Sequence, residues 1–239
     1  MKRVILFAAF SLAACTTSAA STKTSDVPVA ALAPLRPDAP FRDEILHFAE
    51  QDRESPPPAC PILFVGSSSI RMWGSLKADM APLPVLNRGF GGSKISEANL
   101  YFDRIVTPYR PRAIVFYAGE NNLDAGESPE AVAEQFRRFL ELKRARLGNT
   151  PLFYISAKPS KLRFTQLDRQ KTLNAAVRSL PGNDLIFIDV VSPMMNGRQL
   201  RDIYVEDGLH MNAAGYAIWT GLVRQALAKR HVERLRCRS

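Results

Sequence analysis

The sequence has little of what several protein classes require. Only three cysteines and three histidines occur in 239 residues, which excludes a disulfide-dense scaffold, and no group of His, Cys and acidic residues has metal-site spacing. With 46% apolar and 23% charged residues the chain is neither mostly disordered nor collagen-like. About 200 residues can bury a core without a metal or a disulfide framework, which favours one α/β domain over two small ones.

Three common motifs are also absent. Gly89 and Gly91 do not form a dinucleotide-binding fingerprint, because Lys94 occupies the position of the third glycine. No phosphate-loop Gly-Lys-Ser/Thr occurs, and Ile70 replaces the second glycine of the G-x-S-x-G elbow of α/β-hydrolases. The sequence therefore predicts an activity that uses neither a cofactor nor a metal.

The amino terminus has the pattern of a secretory signal peptide, since Lys2 and Arg3 precede an apolar run that is too short to span a membrane. The run ends in Leu12-Ala13-Ala14-Cys15, which resembles the lipobox of bacterial lipoproteins. This resemblance implies a lipid on Cys15 and, since Thr16 is not the Asp retention signal, the outer membrane of the cell envelope. The alternative is a plain secretory signal with a chance cysteine.

The chain then divides into three parts. Residues 1–14 are the predicted signal peptide, and residues 15–40 are the lipidated cysteine followed by a flexible tether rich in Thr, Ser, Ala and Pro. Residues 41–239 form a single predicted domain. The sequence does not indicate an oligomeric state.

The net charge of +9 is concentrated near the C-terminus, from Arg224 to Arg238. Anionic lipid headgroups are the expected partner of an anchored protein with such a tail. Nucleic acid is not expected, because no aromatic and basic interleaving and no DNA-binding motif accompany the charge.

Two cysteines remain once Cys15 is lipidated, and both would face an oxidising compartment. The sequence predicts a disulfide between Cys60 and Cys237, with two unpaired thiols as the alternative, since sequence carries no geometry.

From about residue 62 onward, short β-rich runs alternate with helical patterns, which indicates βαβ units and a parallel sheet. Ser128 and Asn212 are predicted to cap two of the helices. Five strands are predicted: Ile62–Val65, Val85–Asn87, Ala113–Ala118, Leu152–Ser156 and Leu185–Val190.

Ligands of such sheets bind at the carboxyl ends of the strands, so the residues that follow each strand are informative. His210 is the one histidine near a loop acid, and Asp207, three residues earlier, can orient its imidazole. Main-chain amides near Ser68 and Gly92 and the Asn121 side chain can supply donors to an oxyanion.

The segments around Ser68, Gly92 and Asn121, followed by the pair Asp207 and His210, occur in the same order as the four sequence motifs of the SGNH, or GDSL-like, hydrolase superfamily and resemble them. This superfamily includes bacterial GDSL-like lipase/acylhydrolases and platelet-activating-factor acetylhydrolase subunits. The resemblance runs from about Ile62 to Trp219 and implies a three-layer α/β/α, flavodoxin-like fold with a five-stranded parallel sheet. It makes Ser68 the nucleophile and an oxyanion donor, Gly92 and Asn121 the other oxyanion residues, and Asp207 and His210 the acid and base.

The family motif Gly-Asp-Ser reads Gly66-Ser67-Ser68 in this sequence, so any hydrogen bond of the family Asp is lost or replaced. Ser68 is preferred to Ser67 and Ser69, and Asn121 to Asn122, by alignment alone. Asp189, at the end of the fifth strand, competes with Asp207 but is interpreted as a structural residue.

The expected function is hydrolysis of a carboxylic ester through an acyl-enzyme. Short loops favour a short acyl group, and an envelope location makes the O-acetyl groups of glycans plausible targets. Lysophospholipid or other lipid esters are the enzymatic alternative. A catalytically silent lipoprotein that binds glycan or a partner is the non-enzymatic one, motivated by Ser67.

Overall fold

The computed structural model describes residues 32–237, so the predicted signal peptide and Cys15 lie outside the described part of the chain. The strands are β1 (Ile62–Gly66), β2 (Val85–Gly89), β3 (Ala113–Tyr117), β4 (Leu152–Ile155), β5 (Leu185–Ile188), β6 (Met195–Asn196) and β7 (Gln199–Leu200). The helices are α1 (Arg42–Glu54), α2 (Ser68–Arg71), α3 (Leu76–Asp79), α4 (Ile95–Leu100), α5 (Phe102–Ile105), α6 (Glu120–Asp124), α7 (Pro129–Leu147), α8 (Leu167–Arg178) and α9 (Ala213–Lys229).

Strands β1 to β5 form one parallel sheet in the order β2-β1-β3-β4-β5, and β6 and β7 form a small antiparallel pair. This is the flavodoxin-like order, in which the chain reverses direction across the sheet between β1 and β3. The prediction of a five-stranded parallel sheet is confirmed. Each strand begins at its predicted residue and ends within two residues of its predicted end.

Side chains of alternate strand residues enter two cores, one on each face of the sheet. On one face, Val65 and Phe116 pack with Phe139 of α7. On the other face, Phe64 and Tyr117 pack with Trp219 of α9. Both faces of the sheet are covered, as strands buried on both sides require. The predicted three-layer α/β/α arrangement is therefore confirmed.

Both predicted helix caps are present. The Ser128 hydroxyl accepts the Ala131 N–H at 3.2 Å ahead of α7. The Asn212 carboxamide oxygen accepts the main-chain N–H of Ala214 and of Gly215 ahead of α9. These bonds satisfy donors that the first turn of a helix leaves open.

The folded part of the chain extends upstream of Phe41, into the segment that the sequence assigns to the tether. Leu35 packs against a core cluster, Tyr101 donates to the Pro40 carbonyl, and Arg104 donates to the Ala33 carbonyl. Proline-rich composition shows that these residues form no regular element. It does not show that neighbouring side chains can bind their exposed carbonyls.

Cys60 and Cys237 are joined in a disulfide, with their Cα atoms 5.4 Å apart across a sequence separation of 177 residues. Cys60 lies just before β1, at the amino ends of the strands. The bond therefore ties the end of the described chain to the end of the sheet at which the strands begin, opposite their carboxyl ends. No helix within residues 32–237 is both long and apolar enough to cross a membrane.

Candidate active site

Ser68 occupies the first position of α2, directly after the tight turn that follows β1. Gly66 adopts a φ of +147°, and a Cβ added there would lie 1.8 Å from the Tyr117 carbonyl oxygen. Glycine is therefore required where β1 runs against β3. The Ser67 N–H then donates to that same carbonyl at 2.9 Å, and the chain turns into α2.

The three consecutive serines have different surroundings. The Ser68 Oγ lies 2.8 Å from Nε2 of His210. The hydroxyls of Ser67 and Ser69 are buried and have no hydrogen-bond partner among the described residues. The structure thus brings only Ser68 to the histidine. Ser67 stands where the family motif has Asp, and within residues 32–237 its hydroxyl makes no hydrogen bond in place of that acid.

Asp207 and His210 are held by one turn. Oδ1 of Asp207 accepts the main-chain N–H of Leu209 at 2.8 Å and of His210 at 2.9 Å. Oδ2 lies 2.5 Å from Nδ1 of His210. The three-residue spacing therefore places the carboxylate against the imidazole and leaves Nε2 facing Ser68.

The carboxylate of Asp207 is ionised at neutral pH. Partial burial raises its pKa, but hydrogen bonds from the His210 side chain and from the His210 and Leu209 amides outweigh that effect and lower the pKa to about 2. A charged carboxylate at Nδ1 selects the tautomer that keeps a lone pair on Nε2. The other two histidines lie elsewhere, His47 beside Glu50 and His231 beside Glu233.

The predicted oxyanion donors follow three adjacent strands, since β1 lies between β2 and β3. Gly92 follows β2 with a φ of +77°, and Asn121 lies in α6 after β3. Asn121 Nδ2 donates to the Ser93 carbonyl at 3.0 Å, and Phe90 N–H donates to the Gly66 carbonyl at 2.9 Å. These bonds connect the loops that carry the predicted donors.

For two of these donors, the described residues provide no main-chain acceptor. No backbone–backbone hydrogen bond outside the regular helices and strands of residues 32–237 uses the N–H of Ser68 or Gly92. The Asn121 carboxamide uses one amide hydrogen for Ser93, which leaves the other available. Such donors can serve an oxyanion that forms next to Ser68.

The two competing residues have structural contacts. Asn122 is fully buried; its side-chain oxygen accepts the Ile95 N–H at 3.1 Å, and its amide donates to Glu127 and Gln135. Asp189 pairs with Arg178 at 3.3 Å and accepts the Val191 N–H. None of these bonds goes to Ser68 or His210.

A buried group of charges beneath the site was not anticipated from the sequence. Lys158 is fully buried, donates to the Leu209 carbonyl at 2.7 Å and lies 3.6 Å from Glu120. Burial lowers the pKa of its ammonium, an effect that the Glu120 carboxylate opposes. Arg163 donates to Oδ1 of Asn121 at 2.9 Å. The sequence feature that could have indicated this group is a lysine and an arginine that follow β4, at the carboxyl end of the sheet where the other site residues lie.

Among the described residues, no group of three or more His, Cys, Asp or Glu side chains is arranged to hold a metal ion. The arrangement offers a hydroxyl in contact with an imidazole, an ionised acid behind that imidazole, and nearby N–H donors. These are the parts that acyl transfer requires.

The sequence profile of the GDSL-like Lipase/Acylhydrolase family matches residues 63–218. No curated protein sequence matches the chain. The family match spans every residue of the candidate site, from Ser68 to His210.

Several solved structures are similar in fold. A GDSL-like lipase from Bacteroides thetaiotaomicron has a TM-score of 0.66 at 19% identity, covering 78% of this chain and 98% of that one. A carbohydrate esterase family 3 protein from Talaromyces cellulolyticus has a TM-score of 0.58 at 12% identity, with coverage of 74% and 99%. A catalytic mutant of an acetylxylan esterase from Geobacillus stearothermophilus has a TM-score of 0.57 at 11% identity, with coverage of 72% and 95%.

Proposed function

The chain belongs to the GDSL-like lipase/acylhydrolase family and is an ester-cleaving hydrolase, and on this premise we propose that it works through an acyl-enzyme on Ser68. The observation that carries the proposal is the contact of Ser68 Oγ with His210 Nε2 at 2.8 Å, backed by Asp207 at Nδ1. A weak nucleophile such as a serine hydroxyl needs an adjacent base of this kind.

In the proposed first half-reaction, Ser68 Oγ attacks the ester carbonyl and its proton passes to His210 Nε2. The carbonyl oxygen becomes an oxyanion that accepts hydrogen bonds from the Ser68 and Gly92 main-chain N–H groups and from Asn121 Nδ2. The C–O bond to the alcohol then breaks, and His210 returns the proton to the leaving oxygen. Asp207 stabilises the imidazolium throughout.

In the second half-reaction, water replaces the alcohol. His210 takes a proton from the water as the hydroxide forms a bond to the acyl carbon. The bond to Ser68 Oγ then breaks, the serine recovers its proton from His210, and the acid leaves. The proposed cycle uses only these side chains, the ester and water.

For the substrate, we propose a short-chain ester, with the O-acetyl group of a glycan as the physiological class. The similar structures include a carbohydrate esterase and an acetylxylan esterase, which supports this preference at the level of the fold. The catalytic side chains also lie near the surface, since the side chains of Asp207 and His210 are 46% and 17% exposed. An acetyl group on a bulky polymer needs such an accessible site.

A lipid ester is the second candidate, and exposed apolar side chains favour it. Leu162 and Phe164 flank Arg163, Met72 follows the helix that begins at Ser68, and Val205 precedes Asp207 by two residues. All four belong to segments that build the site. They offer apolar surface to a long acyl chain.

The test measures hydrolysis of p-nitrophenyl esters of increasing acyl length by wild type, Ser68→Ala and His210→Ala. The proposal expects turnover that is lost in both variants and is greatest with acetyl or propionyl esters. A preference for long acyl chains would replace the glycan ester with the lipid ester. A folded wild type without activity on any ester would favour the silent binding protein.

We also propose that the protein is anchored in the bacterial cell envelope by a lipid on Cys15, on the periplasmic side or at the surface of the outer membrane. The support is the sequence alone, through the signal-peptide pattern and the lipobox resemblance. Metabolic labelling with a radioactive fatty acid should mark the full chain and not Cys15→Ser, which should appear in the soluble envelope fraction. Label on Cys15→Ser, or a wild type without label, would overturn the anchor.

A further inference from the structure

Arg163 lies in the loop between β4 and α8, far in sequence from the residues that the proposed mechanism uses, and it makes a direct hydrogen bond to one of them. Its guanidinium donates to Oδ1 of Asn121 at 2.9 Å and to Oδ2 of Asp124 at 2.9 Å. Asn121 and Asp124 are one turn apart in α6. Arg163 therefore binds two side chains on one face of this short helix.

The orientation of the Asn121 carboxamide decides whether it presents a donor or an acceptor to the oxyanion. Rotation of the amide by a half turn would exchange Nδ2 for Oδ1 and place a lone pair where an N–H is required. Two contacts oppose that rotation: Arg163, which can only donate, binds Oδ1, and the Ser93 carbonyl, which can only accept, binds Nδ2.

Arg163 is itself firmly held. Only 12% of its side chain is exposed, and Glu120, a buried carboxylate, lies 3.9 Å from the same guanidinium nitrogen that binds Asn121. Gln166 donates to the other oxygen of Asp124 at 2.8 Å, which fixes that acid as well. Charge-assisted bonds in such surroundings are stronger than bonds between neutral groups.

The same loop also contacts the histidine side of the site. The N–H of Leu162, the residue before Arg163, donates to the Gly208 carbonyl at 3.0 Å, inside the turn that joins Asp207 to His210. The loop after β4 thus connects the segment that carries the base with the helix that carries the amide.

From these contacts, and resting on the function proposed above, we infer that Arg163 is a positioning residue for catalysis: it locks the Asn121 carboxamide with Nδ2 directed toward the oxyanion. It acts through Asn121 and does not contact the reacting atoms.

This role predicts how the kinetic effect of Arg163 depends on Asn121. In the wild-type background, Arg163→Met should lower kcat about ten- to a hundredfold, part of the roughly 10²–10³-fold loss expected for a missing oxyanion donor. KM should change little, because the bond to the oxyanion forms in the transition state. In the Asn121→Ala background there is no amide to orient, so Arg163→Met should change kcat less than about twofold, as non-additivity within one unit requires.

The experiment is therefore a double-mutant cycle with p-nitrophenyl acetate, measured on folded variants checked by circular dichroism and thermal unfolding. Arg163→Lys, measured in both backgrounds, should recover part of the kcat that Arg163→Met loses when Asn121 is present, and it should have no effect on kcat in the Asn121→Ala background. This variant also keeps the test decisive if Arg163→Met does not fold.

Arg169→Met is the matched control. The Arg169 guanidinium also donates two hydrogen bonds nearby, but to the Leu123 and Glu127 carbonyls and not to the Asn121 side chain, so kcat should stay near the wild-type value.

Equal losses of kcat from Arg163→Met in the two backgrounds would overturn the inference and leave the proposed function standing. A comparable loss in Arg169→Met would do the same, because it would mark a general effect of disturbing α6. Failure of the proposed function has a different signature, since wild type and Ser68→Ala would then be equally inactive.

Discussion

At the scale of single residues, the buried hydroxyls beside Ser68 give a test of which serine reacts. The hydroxyls of Ser67 and Ser69 have no hydrogen-bond partner among the described residues, so neither is bonded to His210. Ser67→Ala and Ser69→Ala should therefore keep kcat/KM within a few fold of wild type. Removing an unpaired buried hydroxyl should leave stability unchanged or raise it, because no hydrogen bond is lost. Steady-state kinetics and thermal unfolding check both expectations, and a loss of turnover in either variant comparable to that in Ser68→Ala would contradict this account of the site.

The carboxylate of Asp207 gives a prediction about pH. Because its pKa is lowered from 3.8 to about 2, Asp207 stays ionised throughout the range above pH 4. The negative charge that it holds beside His210 is lost only as pH falls through about 2. Asp207→Asn should lower kcat by roughly 10³–10⁴ at neutral pH, because the amide cannot stabilise the imidazolium. The acid limb of the wild-type profile above pH 4 should not arise from Asp207. Rates of wild type and Asp207→Asn from pH 4 to 9 test this, and Asp207→Asn activity within tenfold of wild type would refute it.

Residue identities could be predicted from the sequence further than their contacts could. The order of Ser68, Gly92, Asn121, Asp207 and His210 along the chain identified the set, and His210 was the one histidine beside a loop acid. The choice of Ser68 among three adjacent serines rested on alignment and had no physical argument behind it, and the contact of Arg163 with Asn121 was not predicted at all. Both depend on side-chain directions that arise only when separate loops pack together.

At the scale of elements, the end of β1 depends on one glycine. A Cβ at Gly66 would overlap the Tyr117 carbonyl of β3, and its φ of +147° is strained for any side chain. Gly66→Ala should therefore destabilise the protein by more than about 3 kcal/mol and displace Ser68.

Gly74 provides the matched control, since a Cβ there meets no atom within 4 Å. The free energy of unfolding of Gly74→Ala, measured by urea or guanidinium titration, should lie within about 1 kcal/mol of the wild-type value. If Gly66→Ala were as stable as Gly74→Ala, the close approach of β1 and β3 would not be a constraint on the fold.

The strands of the main sheet and the long helices were predictable from the sequence, and the short helices were not. The strand starts and the caps at Ser128 and Asn212 follow from apolar patterning and cap chemistry. Helices α2 to α6 contain four to six residues each, too few for a helical period to emerge from the sequence. Their positions are set by the loops that follow the strands, and two of them, α2 and α6, carry Ser68 and Asn121.

At the scale of the whole molecule, the site and the disulfide occupy opposite ends of the sheet. The disulfide of Cys60 and Cys237 closes a separation of 177 residues at the amino ends of the strands. Cys237→Ser should therefore lower the free energy of unfolding by about 2–5 kcal/mol, since the cross-link restricts the unfolded chain. The value of kcat should be unchanged at temperatures where the variant is folded. Denaturant titration and kinetics measured side by side test this, and a loss of kcat without a loss of stability would contradict it.

The central claim is that Ser68, activated by His210, is the nucleophile, and the most direct measurement is the site and amount of covalent labelling by a fluorophosphonate. Such a probe reacts with a serine that a base has activated. Intact-protein mass spectrometry and peptide sequencing should find one probe per chain, on Ser68, with labelling abolished in Ser68→Ala and strongly reduced in His210→Ala. Label on Ser67 or Ser69, or labelling that His210→Ala leaves undiminished, would contradict the account.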